Sequence, residues 1–153
     1  MLIHQFQLLF DALTINGENN QVTAMFADQF EANLQAEKMT EAEFPLVVYE
    51  NRITTTETFT ASGVIQTTAP LSFMFLELDK LDSSPIQSDV IIQRMRTLAK
   101  QFVIRLSKSD IITDGFDIET FTLQNVYKAF DAAASGTLLT VTAPLKEDIS
   151  YCV

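Results

Sequence analysis

Residues 71–106 read LSFMFLELDKLDSSPIQSDVIIQRMRTLAKQFVIRL, and this stretch decides the fold. Pro70 is expected to start a strand over 71–78, and a turn over 79–84 leads into a helix that begins at Pro85 and runs towards Leu106. Ser84 as the N-cap, Pro85 at the first helical position and Gln87 at the third predict a capping box. The stretch is built to pack, and it contains no motif for a nucleophile, a metal or a phosphate group.

The predicted helix is amphipathic. Its apolar residues fall within roughly 140° of a helical wheel and predict the core face. They are Ile91, Ile92, Met95, Leu98, Ala99, Phe102, Val103 and Leu106. Arg96 and Lys100 hold the opposite side, and Ile104 also points away from the apolar stripe. An apolar side chain on the polar side can mark a contact with a neighbouring subunit.

Helix, strand and uncertain segments precede this stretch. The spacing of apolar residues over 2–13 predicts a first helix, although the alternation at Phe6, Leu8 and Phe10 also fits a strand. Residues 21–43 fit either a helix or a short strand over 21–26 followed by a loop. Residues 46–49 form a continuous apolar run, which is typical of a strand buried on both faces.

The remaining segments favour extended structure. Residues 52–68 are rich in β-branched threonine and predict a hairpin or two edge strands that can project as an arm. Residues 116–130 and 137–143 are expected to pair as a hairpin around a turn over 131–136, and Pro144 to close the sheet. The sequence therefore predicts one α+β domain over 1–153, with a tail over 146–153. We expect a mostly antiparallel sheet, with the N-terminal helix and the long amphipathic helix packed on one face.

The composition excludes several classes of function. Ten basic and twenty acidic residues give a net charge of −10, which disfavours binding to nucleic acid or to anionic lipid. No apolar run is long enough to span a membrane, and the first residues lack the basic start of a signal peptide. The chain has one cysteine, Cys152, so no internal disulfide is expected.

No catalytic or metal-binding constellation is predicted. His4 is the only histidine, and it has no accompanying nucleophile motif. Asp110, Asp114, Asp117 and Glu119 surround Gly115 without the spacing of a calcium loop, so a solvated loop is expected. Asp79 and Asp82 could form a carboxylate pair, but they are better explained as turn and helix-start residues. We therefore expect no cofactor, no metal and no enzymatic activity.

The succession of these elements resembles the small neck and tail proteins of tailed bacteriophages, especially those that infect Bacteroidetes. Among these proteins, the chain most resembles a tail-terminator-like protein or a head-tail connector ring protein. The stretches that carry the resemblance are FPLVVYE (44–50), FMFL (73–76), DKLDSSP (79–85), MRTLAKQF (95–102), FD (130–131) and SGTLLTV (135–141), with a cysteine near the end.

The resemblance implies a structural virion protein of the neck or tail, made in the host bacterial cytoplasm. It implies a homo-oligomeric ring, six-fold or twelve-fold, that contacts other neck or tail proteins while DNA passes through without specific binding. A negative lumen suits that passage, and Thr56 and Thr58 would pair with a neighbour's sheet edge. Arg96, Lys100 and Ile104 would face a neighbouring subunit. The alternative is an α+β protein-binding module outside phages.

Overall fold

The fold follows the order expected for an α+β domain, with additional short strands. The computed structural model describes residues 2–15, 18–19, 22–35, 44–50, 53–59, 61, 63, 65–79, 82, 84–113, 118–129 and 134–146. Its elements are α1 (Leu2–Asp11), β1 (Thr14–Ile15), β2 (Glu18–Asn19), β3 (Thr23–Phe26), α2 (Ala27–Gln35), β4 (Leu46–Tyr49), β5 (Thr56–Phe59), β6 (Ile65–Leu78), α3 (Pro85–Ser107), β7 (Phe121–Ala129) and β8 (Ala134–Leu145).

The main sheet has six strands, and β6 lies at its centre. The strand order is β3-β4-β6-β8-β7, and β5 pairs with the first part of β6. All neighbours are antiparallel except β3 and β4, which run parallel. The predicted α+β class with a mostly antiparallel sheet is confirmed, and the parallel pair makes the sheet mixed.

The larger core lies between one face of the sheet and the helices α1 and α3. Phe6 and Phe10 of α1 pack against Phe73 of β6 and Phe102 of α3. Seven of the eight apolar residues that the helical wheel assigned to the core are buried, and Ile91 is half-buried. The predicted helices over 2–13 and from Pro85 are confirmed, and both pack on this face.

A smaller core lies on the opposite face, beneath α2. Phe30 of α2 packs with Leu46 and Val48 of β4 and with Leu76 of β6. Successive residues of a strand point to opposite faces, so these side chains oppose Val47 and Tyr49 of the larger core. The helix α2, which arises from the segment 21–43, therefore lies on the face opposite α1 and α3. Burial on both faces of β4 is confirmed.

Residues 21–43 combine the two alternatives that their sequence allowed. The segment contains β3, as the strand alternative required, and α2 follows at once where that alternative expected a loop. Thr23 N donates to Pro45 O at 3.0 Å, which aligns β3 with the residue before β4. Residues 36–43 lie outside the described residues.

The central strand is longer than predicted. β6 begins at Ile65 and continues through Pro70, so Pro70 does not start it. One edge of β6 pairs with β5 at 65–68 and with β4 at 73–76, and Pro70 falls in the interval between these partners. A proline has no backbone N–H to donate to a neighbouring strand. In this interval no strand lies beside that edge of β6 in the described residues, so no donor is required.

The hairpin at the other side of the sheet begins its return strand early. β8 starts at Ala134 and extends to Leu145, so Gly136 lies within the strand instead of in a turn. Pro144 is likewise inside β8, opposite Thr68, beyond the last paired residue of β7. The pairing of β7 with β8 confirms the predicted hairpin.

Two sets of side-chain hydrogen bonds position α3. Ser84 Oγ accepts from Gln87 N at 3.3 Å, and Gln87 Oε1 accepts from Ser84 N at 2.9 Å, which confirms the capping box. Gln101 accepts from Thr14 N at 3.1 Å and donates to Thr14 O at 2.9 Å. The Gln101 side-chain amide therefore bonds both backbone groups of Thr14, as a neighbouring strand would. These bonds link the segment after α1 to α3.

Candidate interaction surfaces

Within the ranges given above, no set of three or more histidine, cysteine or acidic side chains is placed to hold a metal ion. Asp110 is exposed and its Oδ1 atom lies 3.8 Å from Lys146 Nζ. Glu119 is also exposed. The side chain of His4, and residues Asp114, Asp117 and Cys152, lie outside the described residues.

Asp79 is a buried carboxylate that joins three elements. Its Oδ2 atom accepts from Ser88 Oγ of α3 at 2.5 Å and from Ser135 Oγ of β8 at 2.9 Å. Ser135 Oγ in turn accepts from Lys128 N of β7 at 2.9 Å. Both hydroxyls are fully buried, so the group lies inside the fold. Asp82, by contrast, is exposed, so the two residues have different environments and Asp79 acts as a structural link.

Replacing Asp79 with alanine is expected to lower the free energy of unfolding by about 2 kcal/mol, because two buried hydroxyls lose their acceptor. Asp79→Asn keeps an acceptor oxygen and is expected to cost about half as much. Urea unfolding followed by far-UV circular dichroism measures both. Asp110→Ala, at an exposed ion pair, is the control and should change stability by less than about 0.5 kcal/mol. Equal losses for all three variants would contradict this role of Asp79.

Tyr49 is a buried phenol on the larger core. Burial raises the pKa of the Tyr49 phenol above its ordinary value of 10.0. The phenol is therefore neutral at physiological pH, and its ring packs between Phe10 and Phe26 at centroid distances of 5.5 and 5.0 Å. Tyr49 acts as a packing residue.

Arg96, a predicted interface residue, is held by its own chain. Its Nη1 atom donates to Asn125 Oδ1 at 3.0 Å and to Leu123 O at 3.5 Å, so the guanidinium covers the middle of β7. Arg94 Nε similarly donates to Glu77 Oε2 at 2.8 Å. Arg96 therefore contributes less to an outer surface than the sequence suggested, and Arg94 is likewise engaged within its own chain.

Lys100 and Ile104, the other predicted residues of α3, are exposed. Lys100 lies on a line of exposed side chains that runs along the helix directly away from the sheet. We call this line the α3 outer stripe. Its members are Ile86, Val90, Gln93, Thr97, Lys100 and Ile104. Ile86, Val90 and Ile104 are 79%, 58% and 55% exposed, so the stripe is apolar at both ends and polar in the middle.

Thr56 and Thr58 lie on β5, and all four side chains of this strand are exposed. Among the described residues β5 pairs with β6 alone, which leaves its outer edge open. At the end of this hairpin, Phe59 faces Ile65 across the two strands, and these side chains are 75% and 38% exposed. We call β5 with residues 65–68 the β5–β6 hairpin. The sequence pointed to its threonines but missed this apolar pair.

Glu57 stiffens the β5–β6 hairpin. Its carboxylate accepts from Thr67 Oγ1 at 2.7 Å across the strands and from Thr55 Oγ1 at 3.3 Å. The cross-strand bond adds to the pairing of β5 with β6 in this exposed segment.

Comparison with known proteins supplies no assignment: no family model, no curated protein and no solved structure matches the chain. None of the helices in the described ranges is long and apolar enough to cross a membrane.

Proposed function

We propose that this chain is a structural subunit of a tailed-phage neck or tail that assembles into a ring around the DNA channel. The observation that carries the proposal is the open edge of β5 with the exposed Phe59 and Ile65 beside it. Large apolar side chains at an unpaired strand edge are a liability in a monomer, and they favour pairing with another chain.

The order of elements supports this assignment. The stretches that resemble phage neck and tail proteins lie on β4, on the end of β6 with the following turn, on α3, and on the β7–β8 hairpin. The β5–β6 hairpin is inserted between the first two of these. The resemblance is therefore spread over the main sheet and its long helix.

A ring needs two different complementary surfaces on each subunit. The β5–β6 hairpin supplies one of them. The outer edge of β7 is the receiving surface that we propose on the next subunit, because β7 is the last strand of the sheet among the described residues and exposes Phe121 and Tyr127. Strand addition of this kind takes its affinity from main-chain hydrogen bonds and its specificity from the side chains beside them.

The charge of the chain fits a channel for DNA. A net charge of −10 disfavours adhesion of the phosphate backbone, so DNA can move through a ring of such subunits. No catalytic step is assigned to the protein.

Electron microscopy and native mass spectrometry of the purified protein test the proposal, alone and with the products of neighbouring genes. Rings of six or twelve subunits are expected. A stable monomer at high concentration that assembles with none of these products would overturn the proposal. Portal, capsid and tail genes beside this gene would support it, whereas their absence favours the protein-binding module.

Phe59→Ser is expected to weaken ring assembly roughly tenfold or more, because it removes an apolar anchor from the hairpin. The fold should persist, since Phe59 is exposed. Leu8→Ser is the matched control, because it removes an exposed apolar side chain from α1 and should leave assembly unchanged. Sedimentation velocity of both variants over a range of concentrations gives the comparison. Equal assembly by the wild type and Phe59→Ser would show that the hairpin is not the contact.

A further inference from the structure

The α3 outer stripe has the spacing of a helix–helix seam. Its members recur at intervals of four, three, four, three and four residues, and all of them are exposed. This alternation keeps side chains along one line of a helix that pairs with another helix. The buried face of α3 points the opposite way, into the larger core, so the stripe is free of that packing.

The stripe is symmetric about the level of residue 95, midway between Gln93 and Thr97, although Met95 itself is buried on the opposite side of the helix. Counting outward from Met95, Gln93 matches Thr97, Val90 matches Lys100 and Ile86 matches Ile104. Two copies of α3 that cross antiparallel at this point would therefore place these residues opposite one another. The exposed isoleucines at the two ends would meet in pairs.

The charges along α3 are divided between its two ends. Asp89 lies near the beginning of the helix and Asp82 lies three residues before it, and both are exposed. Lys100, Arg105 and Lys108 lie towards the end, are also exposed, and form no ion pair with any residue that the structure describes. An antiparallel arrangement sets each acidic end beside a basic end, and it aligns the helix dipoles favourably.

A specific ion pair follows from the same register. Asp89 of one copy lies one residue from the position opposite Lys100 of the second copy. A parallel arrangement would bring like charges together at both ends, which disfavours it.

We propose that two copies of this chain associate through the α3 outer stripes, antiparallel about a two-fold axis that passes beside Gln93 and Thr97. This contact is separate from the β5–β6 hairpin and goes beyond the proposed ring function. Combined with a ring, it would join two rings face to face, because a two-fold contact closes on itself. With three exposed apolar side chains per copy, the dimer is expected to be weak, with a dissociation constant of roughly micromolar order or above.

Charge reversal tests the pairing in the Phe59→Ser background, where the ring contact is weakened. Lys100→Glu is expected to raise the dissociation constant of the dimer about tenfold, since the change acts twice across the axis, and Asp89→Lys should do the same. The double variant Asp89→Lys/Lys100→Glu should return to within about threefold of the parent. Sedimentation velocity measures all four proteins, and circular dichroism checks their fold. A parent that stays monomeric at the highest soluble concentration, or a double variant without recovery, would overturn the proposal.

Disulfide formation tests the orientation independently. In a Cys152→Ser background, Ile86→Cys and Ile104→Cys are prepared as separate single variants. The two positions are about 27 Å apart along one helix. The mixture of the two variants should therefore form a cross-linked dimer under mild oxidation, and neither should do so alone. Cross-linking of each variant alone would indicate parallel helices, and no cross-linking in the mixture would exclude the contact. Either result would leave the proposed ring untouched.

Discussion

Alanine at position 102 is expected to lower the free energy of unfolding by about 4 kcal/mol. The Phe102 ring is fully buried where α1, α3 and β6 meet. Its centroid lies 4.7 Å from that of Phe73, 5.0 Å from that of Phe10 and 6.0 Å from that of Phe75. Truncation removes these contacts and leaves a cavity that three elements cannot fill without moving. Urea unfolding followed by far-UV circular dichroism measures the loss.

The control is the same truncation at an exposed phenylalanine. Phe59→Ala should change the free energy of unfolding by less than about 1 kcal/mol, because it removes only the cross-strand contact with Ile65. Both variants are measured at a concentration where the wild type is monomeric. A loss for Phe102→Ala no larger than that for Phe59→Ala would show that the aromatic cluster is not the centre of the core.

The sequence predicted α3 well because its signals are local. The capping residues Ser84 and Gln87 lie within one turn of each other, and the apolar stripe repeats with the helical period. Each signal depends on residues at most four positions away. The bounds, the buried face and the outward direction of Ile104 all followed from them.

The sequence could not predict the extent of β6 because its limits depend on distant partners. A proline inside a segment ordinarily argues against a continuous strand there, so Pro70 was expected to mark the beginning of β6. What permits Pro70 is the interval between β5 and β4 along one edge, which only the assembled sheet defines. The same reason applies to β3, whose parallel partner β4 begins twenty residues after β3 ends.

The candidate surfaces also divide into features that local sequence predicts and features that depend on distant partners. Lys100 and Ile104 were predicted from the helical wheel, and both are exposed. Arg96 was assigned to the same surface, but it bonds to Asn125, which lies 29 positions along the chain. The exposed pair of Phe59 and Ile65 depends on the register of a hairpin, which the threonine-rich composition does not specify. The periodicity of apolar residues therefore identifies which face of a helix is exposed. Contacts with distant residues decide which side chains on that face remain available for a partner.

Gly136→Ala is expected to destabilise the protein by roughly 3 kcal/mol or more, because β8 has no room for a side chain there. A Cβ atom at position 136 would lie 1.8 Å from Phe75 O and 2.9 Å from Phe75 C. These are backbone atoms of the neighbouring central strand, so the two strands would have to separate. The thermal midpoint should fall by about 10 °C.

Gly63→Ala is the control, because Gly63 has φ of +81° with nothing within 4 Å of the added carbon. That variant should cost only about 1 kcal/mol, from the strained backbone. The reverse order of the two losses would contradict the close contact between β6 and β8 at this position.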